Sequence, residues 1–300
     1  MRMKTITRET YAKRIERVLH YIVDHLDDVG QNPLDIHRLA EEAFLSPYHF
    51  HRVYVAMMGE TVADTLRRHR LHRAAIKLSA SAKPIAALAS EAGYGSAQAF
   101  TRAFREAYGV PPAQYRLHGK LSAALQSTSI ELKFKEHPMF NLQDVHIQNL
   151  PAIRIAKLPH SGDFQTIGAT FERLMVWAAG QGLMKAGTRT FGIYYDDPKS
   201  KPADELRSDA CVEIPHHYDM KSATHADIHA AETARGRCAV FVFTGPYSEL
   251  ENPYHWLYDT WLPQSGEELR DQPCFEEYLN DARNTPPAEL KTAICIPLKA

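Results

Sequence analysis

The chain has 300 residues, 44% of them hydrophobic and 24% charged, with a formal net charge of −1. That length suits two domains with cores of their own, and the absence of any run of about 18 apolar residues excludes a membrane-spanning helix. The opening MRMKTITRETYAKRIE lacks the apolar stretch of an export signal, and Cys211, Cys238, Cys274 and Cys295 form no CxxC pair, so a reducing cytoplasm is the expected compartment. The near-neutral total hides a split: residues 1–120 carry 18 Lys and Arg against 12 Asp and Glu, and the remainder carries 17 against 24. A basic half joined to an acidic half suggests that the first meets a polyanion.

Residues 11–27 place Ile15, Val18, Leu19, Ile22, Val23 and Leu26 on one helical face, with Gly30 and Pro33 as the stop. A short helix from Ile36 turns inward Leu39, Ala40 and Ala43. After a turn at Phe44-Leu45, Ser46 is placed to cap a second helix that buries Phe50, Val53, Tyr54 and Met57 and ends at Gly59. A longer amphipathic helix follows over 62–80, with Leu66, Leu71, Ala74, Ala75 and Leu78 inward and Arg67, Arg68, Arg70, Arg73 and Lys77 as its basic residues. The short pattern then returns. Leu39/Leu88, Ala40/Ala89 and Ala43/Ala92 correspond at an offset of 49, and Ser46/Ser96, Phe50/Phe100, Arg52/Arg102, Tyr54/Phe104 and Gly59/Gly109 at an offset of 50. Two helix-turn-helix units, 36–59 and 85–109, are therefore predicted, with the one-residue slip in the turn.

Such a unit offers the outer face of its second helix to the major groove. The predicted reading faces are Pro47, Tyr48, His51 and Arg52 in the first unit, and Ala97, Gln98, Thr101, Arg102 and Arg105 in the second. Arg suits guanine, Gln suits adenine, and Thr or Ala can meet a thymine methyl. A linking helix of about 18 residues spans ~27 Å, which roughly suits readers on adjacent turns of DNA, ~34 Å apart. Short helix pairs also serve as plain scaffolding, but two aligned units with Arg in the same register favour DNA. Residues 8–118 resemble the DNA-binding domain of AraC-family transcription regulators, through SPYHFHRVY at 46–54 and EAGYGSAQAFTRAFREAYGVPPAQYR at 91–116. The resemblance implies a cytoplasmic bacterial regulator with base contacts from Tyr48, His51, Arg52, Ala97, Gln98, Thr101 and Arg102. It implies promoter DNA and RNA polymerase as partners, with no membrane and no cofactor.

Residues 119–143 form an expected linker. From 144 to 300 the prediction is an α+β domain: strands within 145–159, a helix over 161–183, and strands near 190–195 and 210–215. A strand at 238–245, a helix over 248–262 and strands at 273–279 and 291–298 repeat that order. Gly162/Gly245 and Phe164/Tyr247 align at an offset of 83, Phe191/Phe275, Tyr194/Tyr278 and Asp197/Asp281 at 84, and Pro215/Pro297 at 82. The predicted fold class is thus multidomain, an all-α double helix-turn-helix domain followed by duplicated strand-helix-strand-strand units.

A cleft between two such halves is a natural ligand site. Aromatics are dense there: Tyr194, Tyr195, Tyr247, Tyr254, Trp256, Tyr258, Trp261, Phe275 and Tyr278, most of which any core would also use. Strand alternation puts Glu276 on the face of Tyr278, and a carboxylate among rings suits an organic cation. Glu276, Tyr278, Tyr195, Tyr247, Trp256 and Phe275 are the expected effector contacts. Residues 145–298 are similar to the GyrI-like effector-binding domain, carried by GPYSEL, YHWLYDTWLPQSG and the closing PCFEEYLND…TPPAELKTAICIPL. The resemblance implies lipophilic, often cationic ligands and gives Glu276 the central acidic role; the domain order resembles the Rob subgroup. Some GyrI-like proteins resemble hydrolases of strained electrophiles, so Glu276 with Tyr278 or Tyr195 as acid and base is the alternative. His225 and His229, with Asp227 and the nearby His216-His217, have metal-like spacing only on a helix, and surface histidines are the expected reading.

Overall fold

The structure is a computed structural model that describes residues 2–26, 34–118, 140–185, 187–220 and 227–300. The helix stop expected at Gly30 and Pro33, most of the expected linker (through residue 139) and His225 lie outside the described residues. Seven helices come first: α1 (Arg2–Asp24), α2 (Ile36–Glu42), α3 (Pro47–Met58), α4 (Val62–Ala80), α5 (Ile85–Glu91), α6 (Ala97–Tyr108) and α7 (Pro112–His118). The repeat is literal. Helices α2 and α5 start 49 residues apart, α3 and α6 start 50 apart, and the extra residue falls in the second turn. Both turns pass through left-handed backbone, at Phe44 (φ 53°) and Gly93 (φ 79°), and Gly59 and Gly109 end α3 and α6 in the same conformation. Ser96 caps α6 by accepting from the Ala99 amide at 3.1 Å, whereas Ser46 occupies the corresponding position without a side-chain capping bond.

The two units are anchored differently. The second has its own core of Leu71, Leu78, Leu88, Phe100 and Phe104, backed by Tyr108 and Tyr115. The first shares one continuous core with the C-terminal half: Tyr11, Ile15, Val18, Leu39, Phe50 and Tyr54 join Trp256, Tyr258, Trp261, Leu262 and Ile294 in a single cluster. Val23, expected inward, is 39% exposed.

The C-terminal half is one antiparallel sheet of eight strands: β1 (Val145–Leu150), β2 (Arg154–Ser161), β3 (Thr190–Tyr194), β4 (Arg207–Glu213), β5 (His229–Glu232), β6 (Gly236–Thr244), β7 (Cys274–Tyr278) and β8 (Lys291–Pro297). Their order is β1-β6-β8-β7-β3-β4-β2-β5. Helix α8 (Gly168–Gly180) covers β2 and β4 on one face. On the same face of the sheet, a run of α9 (Glu251–Trp256), a π-helical turn (Leu257–Trp261) and α10 (Leu262–Ser265) joins the cluster that includes Phe241, Phe243, Ile294 and Ile296 of β6 and β8. The repeats are β2-α8-β3-β4 and β6-α9-α10-β7-β8, arranged as mirror-ordered halves β6-β8-β7 and β3-β4-β2 about the β7–β3 seam. Residues paired across that seam include Gly192 with Glu276, which are themselves 84 apart, the repeat offset. Glu276 therefore lies on the pseudo-two-fold axis and faces its own repeat counterpart.

The other sheet face buries Ile155, Phe191, Ile193, Cys211, Val240, Phe275 and Cys295. All four cysteines are buried and unbridged, and no helix among the described residues is long and apolar enough to cross a membrane. The stretch around His229, whose helical reading gave the metal-like spacing, is the edge strand β5. His216, His217 and His229 are exposed, and no group of three or more His, Cys, Asp or Glu among the described residues could hold a metal ion.

The turn geometry gives a direct expectation. A Cβ on Gly93 would sit 3.2 Å from the Arg70 guanidinium in a left-handed conformation that side chains resist. Gly93→Ala should therefore cost about 1–2 kcal/mol by chemical denaturation, whereas Gly95→Ala, with open space around the added Cβ and no positive φ, should cost less.

Candidate effector cleft and DNA-reading faces

A cavity of about 1100 Å³ opens between α8 and α9 over the β7–β3 seam. Its floor is Glu276 and Tyr278 of β7 with Thr190 and Tyr194 of β3. Phe171 and Met175 of α8 form one wall, and Tyr254 and Tyr258 form the other. Arg52 and Val55 of α3 close one end. Methionines at Met175 and Met184 give the lining a soft, adaptable surface.

Glu276 is 2% exposed. The Tyr278 hydroxyl donates to its Oε2 at 3.1 Å, and the Tyr194 hydroxyl pairs with that of Tyr278 at 2.8 Å. Tyr278 is also the hub of the ring contacts, edge-on to Phe171 at 5.5 Å and to Tyr247 at 5.3 Å. Gly192 is what admits this arrangement: a Cβ there would stand 2.6 Å from the Tyr278 hydroxyl and 2.8 Å from the Tyr194 ring. Burial drives the Glu276 pKa up to about 7, against partial relief from the Tyr278 and Tyr254 hydroxyls, the Arg52 charge and Tyr194. Burial likewise lifts the tyrosines Tyr194, Tyr254, Tyr258 and Tyr278 far above their ordinary range, so they remain hydroxyl donors.

Of the expected effector contacts, Glu276, Tyr278 and Tyr247 line the cavity. Three do not. Phe275 is one residue out of phase and packs in the opposite core. Trp256 is 1% exposed and packs on Phe241 and Phe140. The Tyr195 hydroxyl donates to buried Asp209 at 2.5 Å, beside Lys157, away from the cavity. Tyr194, Tyr254 and Tyr258 take their places; the Tyr194/Tyr278 repeat correspondence was the signal that points to the first. Phe171 of α8, and Arg52, expected only on the DNA-reading face, line the cavity as well.

The second reading face stands open: Gln98, Arg102 and Arg105 are exposed, Ala97 and Thr101 partly so, and the Thr101 hydroxyl donates back to the Ala97 carbonyl at 2.7 Å. The first face differs from the expected open surface, because the C-terminal half covers it. His51, 4% exposed, donates from Nδ1 to Asp197 at 3.0 Å. The Tyr48 ring lies 6.1 Å from that of Tyr195. The Arg52 guanidinium sits 4.3 Å over the Tyr254 ring and donates to the Asp196 carbonyl at 3.3 Å. Although burial opposes its ionisation, Asp197 is held well below the carboxylate range by His51 and the Arg52 charge. Behind them His49 bridges the Tyr258 hydroxyl (2.8 Å) and the Arg270 carbonyl (3.0 Å). A carbonyl only accepts, so Nε2 carries the proton and Nδ1 accepts from Tyr258. Burial pushes His49 down to about 4, so it is neutral there. On the linking helix, Arg67, Arg68 and Lys77 are paired with Asp64, Glu60 and Glu91.

The fold and these two sites define a class: a DNA-binding helix-turn-helix domain joined to a ligand-binding domain, the plan of a ligand-responsive transcription regulator. Residues 143–299 match the family model described as "GyrI-like small molecule binding domain", and residues 39–118 match a "Helix-turn-helix domain" of the AraC type. The chain belongs to the GyrI-like small-molecule-binding family and carries an AraC-type DNA-binding domain ahead of it. The probable transcriptional regulator YgiV of Escherichia coli K12 is 27% identical over 156 residues, 52% of this chain and 96% of that protein. The multiple antibiotic resistance protein MarA of Salmonella typhimurium is 31% identical over 105 residues, 34% of this chain and 83% of that protein. Among solved structures, the EcmrR C-terminal domain overlays with a TM-score of 0.41 at 19% identity, covering 52% of this chain and 96% of that one.

The sign of the Glu276 shift sets a pH dependence. A carboxyl raised from 4.5 to about 7 favours its protonated form in the fold, so its contribution to stability falls as pH rises through that window and stays low above it. A bound cation favours the ionised form. Affinity for a cationic ligand should therefore rise about tenfold between pH 6 and pH 8 and level off above, a profile that titration calorimetry at several pH values would resolve and that Glu276→Gln should flatten.

Proposed function

We propose that this regulator responds to lipophilic organic cations bound in the cleft, with Glu276 as the counter-charge and Tyr278, Tyr247, Tyr194, Tyr254 and Tyr258 as the surrounding cage. The observation that carries this reading is a fully buried carboxylate, ringed by aromatic faces, at the floor of a large and mostly apolar cavity. The hydroxyls around Glu276 offset only part of the cost of ionising it in the buried site, and an incoming cation offsets the rest; each ring face adds about 0.5–2 kcal/mol. Size and soft walls suit a range of ligands rather than one.

Base reading is assigned to Ala97, Gln98, Thr101, Arg102 and Arg105 of α6, with Tyr48, His51 and Arg52 of α3 joining when that helix is uncovered. RNA polymerase at a promoter is the proposed protein partner and the bacterial cytoplasm the proposed compartment. The cleft is proposed to bind its ligand and release it unchanged. Glu276-dependent turnover of an electrophile would replace this reading with the hydrolase alternative.

Two substitutions test the halves separately. Arg102→Ala should cost about 1–3 kcal/mol and relax preference at one base position in a randomised-duplex selection; an unchanged preference removes Arg102 from base reading. Glu276→Gln should weaken binding of tetraphenylphosphonium at pH 8 about tenfold or more while leaving ligand-free DNA affinity in place; loss of DNA affinity as well would make Glu276 a structural residue.

A further inference from the structure

The end of the cleft beside α3 already holds a cation. Arg52 places its guanidinium carbon 4.3 Å from the Tyr254 ring centroid and 5.7 Å from that of Tyr258. Its edge donates to the Asp196 carbonyl, and the buried Asp197 carboxylate supplies the nearby negative charge. Ring faces for a planar cation, a carbonyl for its edge and a carboxylate for its charge are what a guanidinium requires and what a rounded ammonium uses less fully. Arg52 and Glu276 line the same cavity.

We propose that this end of the cleft is a subsite for a guanidinium or amidinium group, that Arg52 is its resident occupant, and that a ligand carrying such a group displaces Arg52 and uncovers the α3 reading face. The inference rests on the reading of the cleft as a cation site and adds how the site is regulated. The consequence follows from position. Arg52 stands on the face of α3 that also carries Tyr48 and His51, and one side chain cannot lie between Tyr254 and Asp196 and in a major groove together. The ligand-free chain thus reads DNA with α6 alone, and ligand restores the second reader. In energetic terms ligand and duplex bind the undocked arrangement in preference to the docked one, which is the differential affinity that coupling requires.

The test uses the full chain and benzamidine, a planar aromatic amidinium, with calorimetry and hydrogen exchange over residues 47–58. Benzamidine should bind and raise exchange of that segment. Arg52→Ala should bind it at least fivefold more tightly and show raised exchange without it. Arg52→Lys, which keeps charge and stem but not the planar fork, should fall between. Benzamidine binding with no change over 47–58, or equal affinity in wild type and Arg52→Ala, overturns the proposal. Tetraphenylphosphonium separates the two readings: if it binds in a Glu276-dependent way while Arg52→Ala leaves benzamidine unchanged, the cation cleft stands and the displacement fails. If neither cation binds wild type or Arg52→Ala, both fall.

Discussion

A buried carboxylate on the axis between two copies of a fold constrains everything near it. At that one point the strand pairing sets a residue against its own duplicate, so an exact repeat would place two glutamates face to face across one strand pair, and like charges at that range could not both ionise. The duplicate of Glu276 is Gly192, which removes the second charge and, by lacking a Cβ, leaves the volume that the Tyr278 and Tyr194 hydroxyls fill. The symmetry of the sheet supplies a cleft with matched walls. The single departure from symmetry at its centre gives that cleft a sign.

The same cleft has one wall that the duplication does not explain. Helix α3 closes it with Arg52, and the first helix-turn-helix unit has merged its core with that of the effector domain through Tyr11, Phe50, Trp256 and Tyr258. The second unit keeps a separate core. Two readers that correspond residue by residue in sequence are therefore unequal in situation, one free and one held. The hold is polar as well as apolar: neutral His49 donates to the Arg270 carbonyl and His51 to Asp197, from two sides of the helix that flank Arg52.

Much of this was legible in the amino-acid sequence because duplication leaves a numerical trace. The offsets of 49 and 50 located both readers and the longer second turn, and the offset of 84 located the strand pair that carries Glu276. Alternation then put Glu276 and Tyr278 on one face. What stayed hidden was which surface each face meets. Phe275 and Trp256 are as aromatic as Tyr254 and Tyr258, and period alone does not say which side of a strand or helix turns to a cavity rather than a core. Helical spacing likewise groups Tyr48, His51 and Arg52 on one face without revealing that a partner domain covers it. A face rich in Arg, His and Tyr fits a phosphate-lined groove and an acidic, tyrosine-lined cleft equally well, since both offer negative charge and flat rings or bases to stack against. That double suitability is a physical reason the two readings of Arg52 belong to one residue.

It also sets limits on the strength of the docking. A ligand can move the balance between covered and uncovered α3 only by its difference in affinity for the two, and a swing from 1:99 to 99:1 needs about 5.5 kcal/mol. Good base contacts contribute about 1–3 kcal/mol each, so the three residues at stake on α3 represent a comparable sum. If docking were much stronger than this, neither duplex nor ligand could dislodge the helix; if much weaker, the reader would be free at all times and the ligand would report nothing. Cation–π stacking and a neutral hydrogen bond to a carbonyl are individually modest, and only the His51–Asp197–Arg52 group, being buried, carries a larger share. The polar part of the latch is thus made of several small terms around one buried carboxylate, set beside the apolar core that the first unit shares with the effector domain.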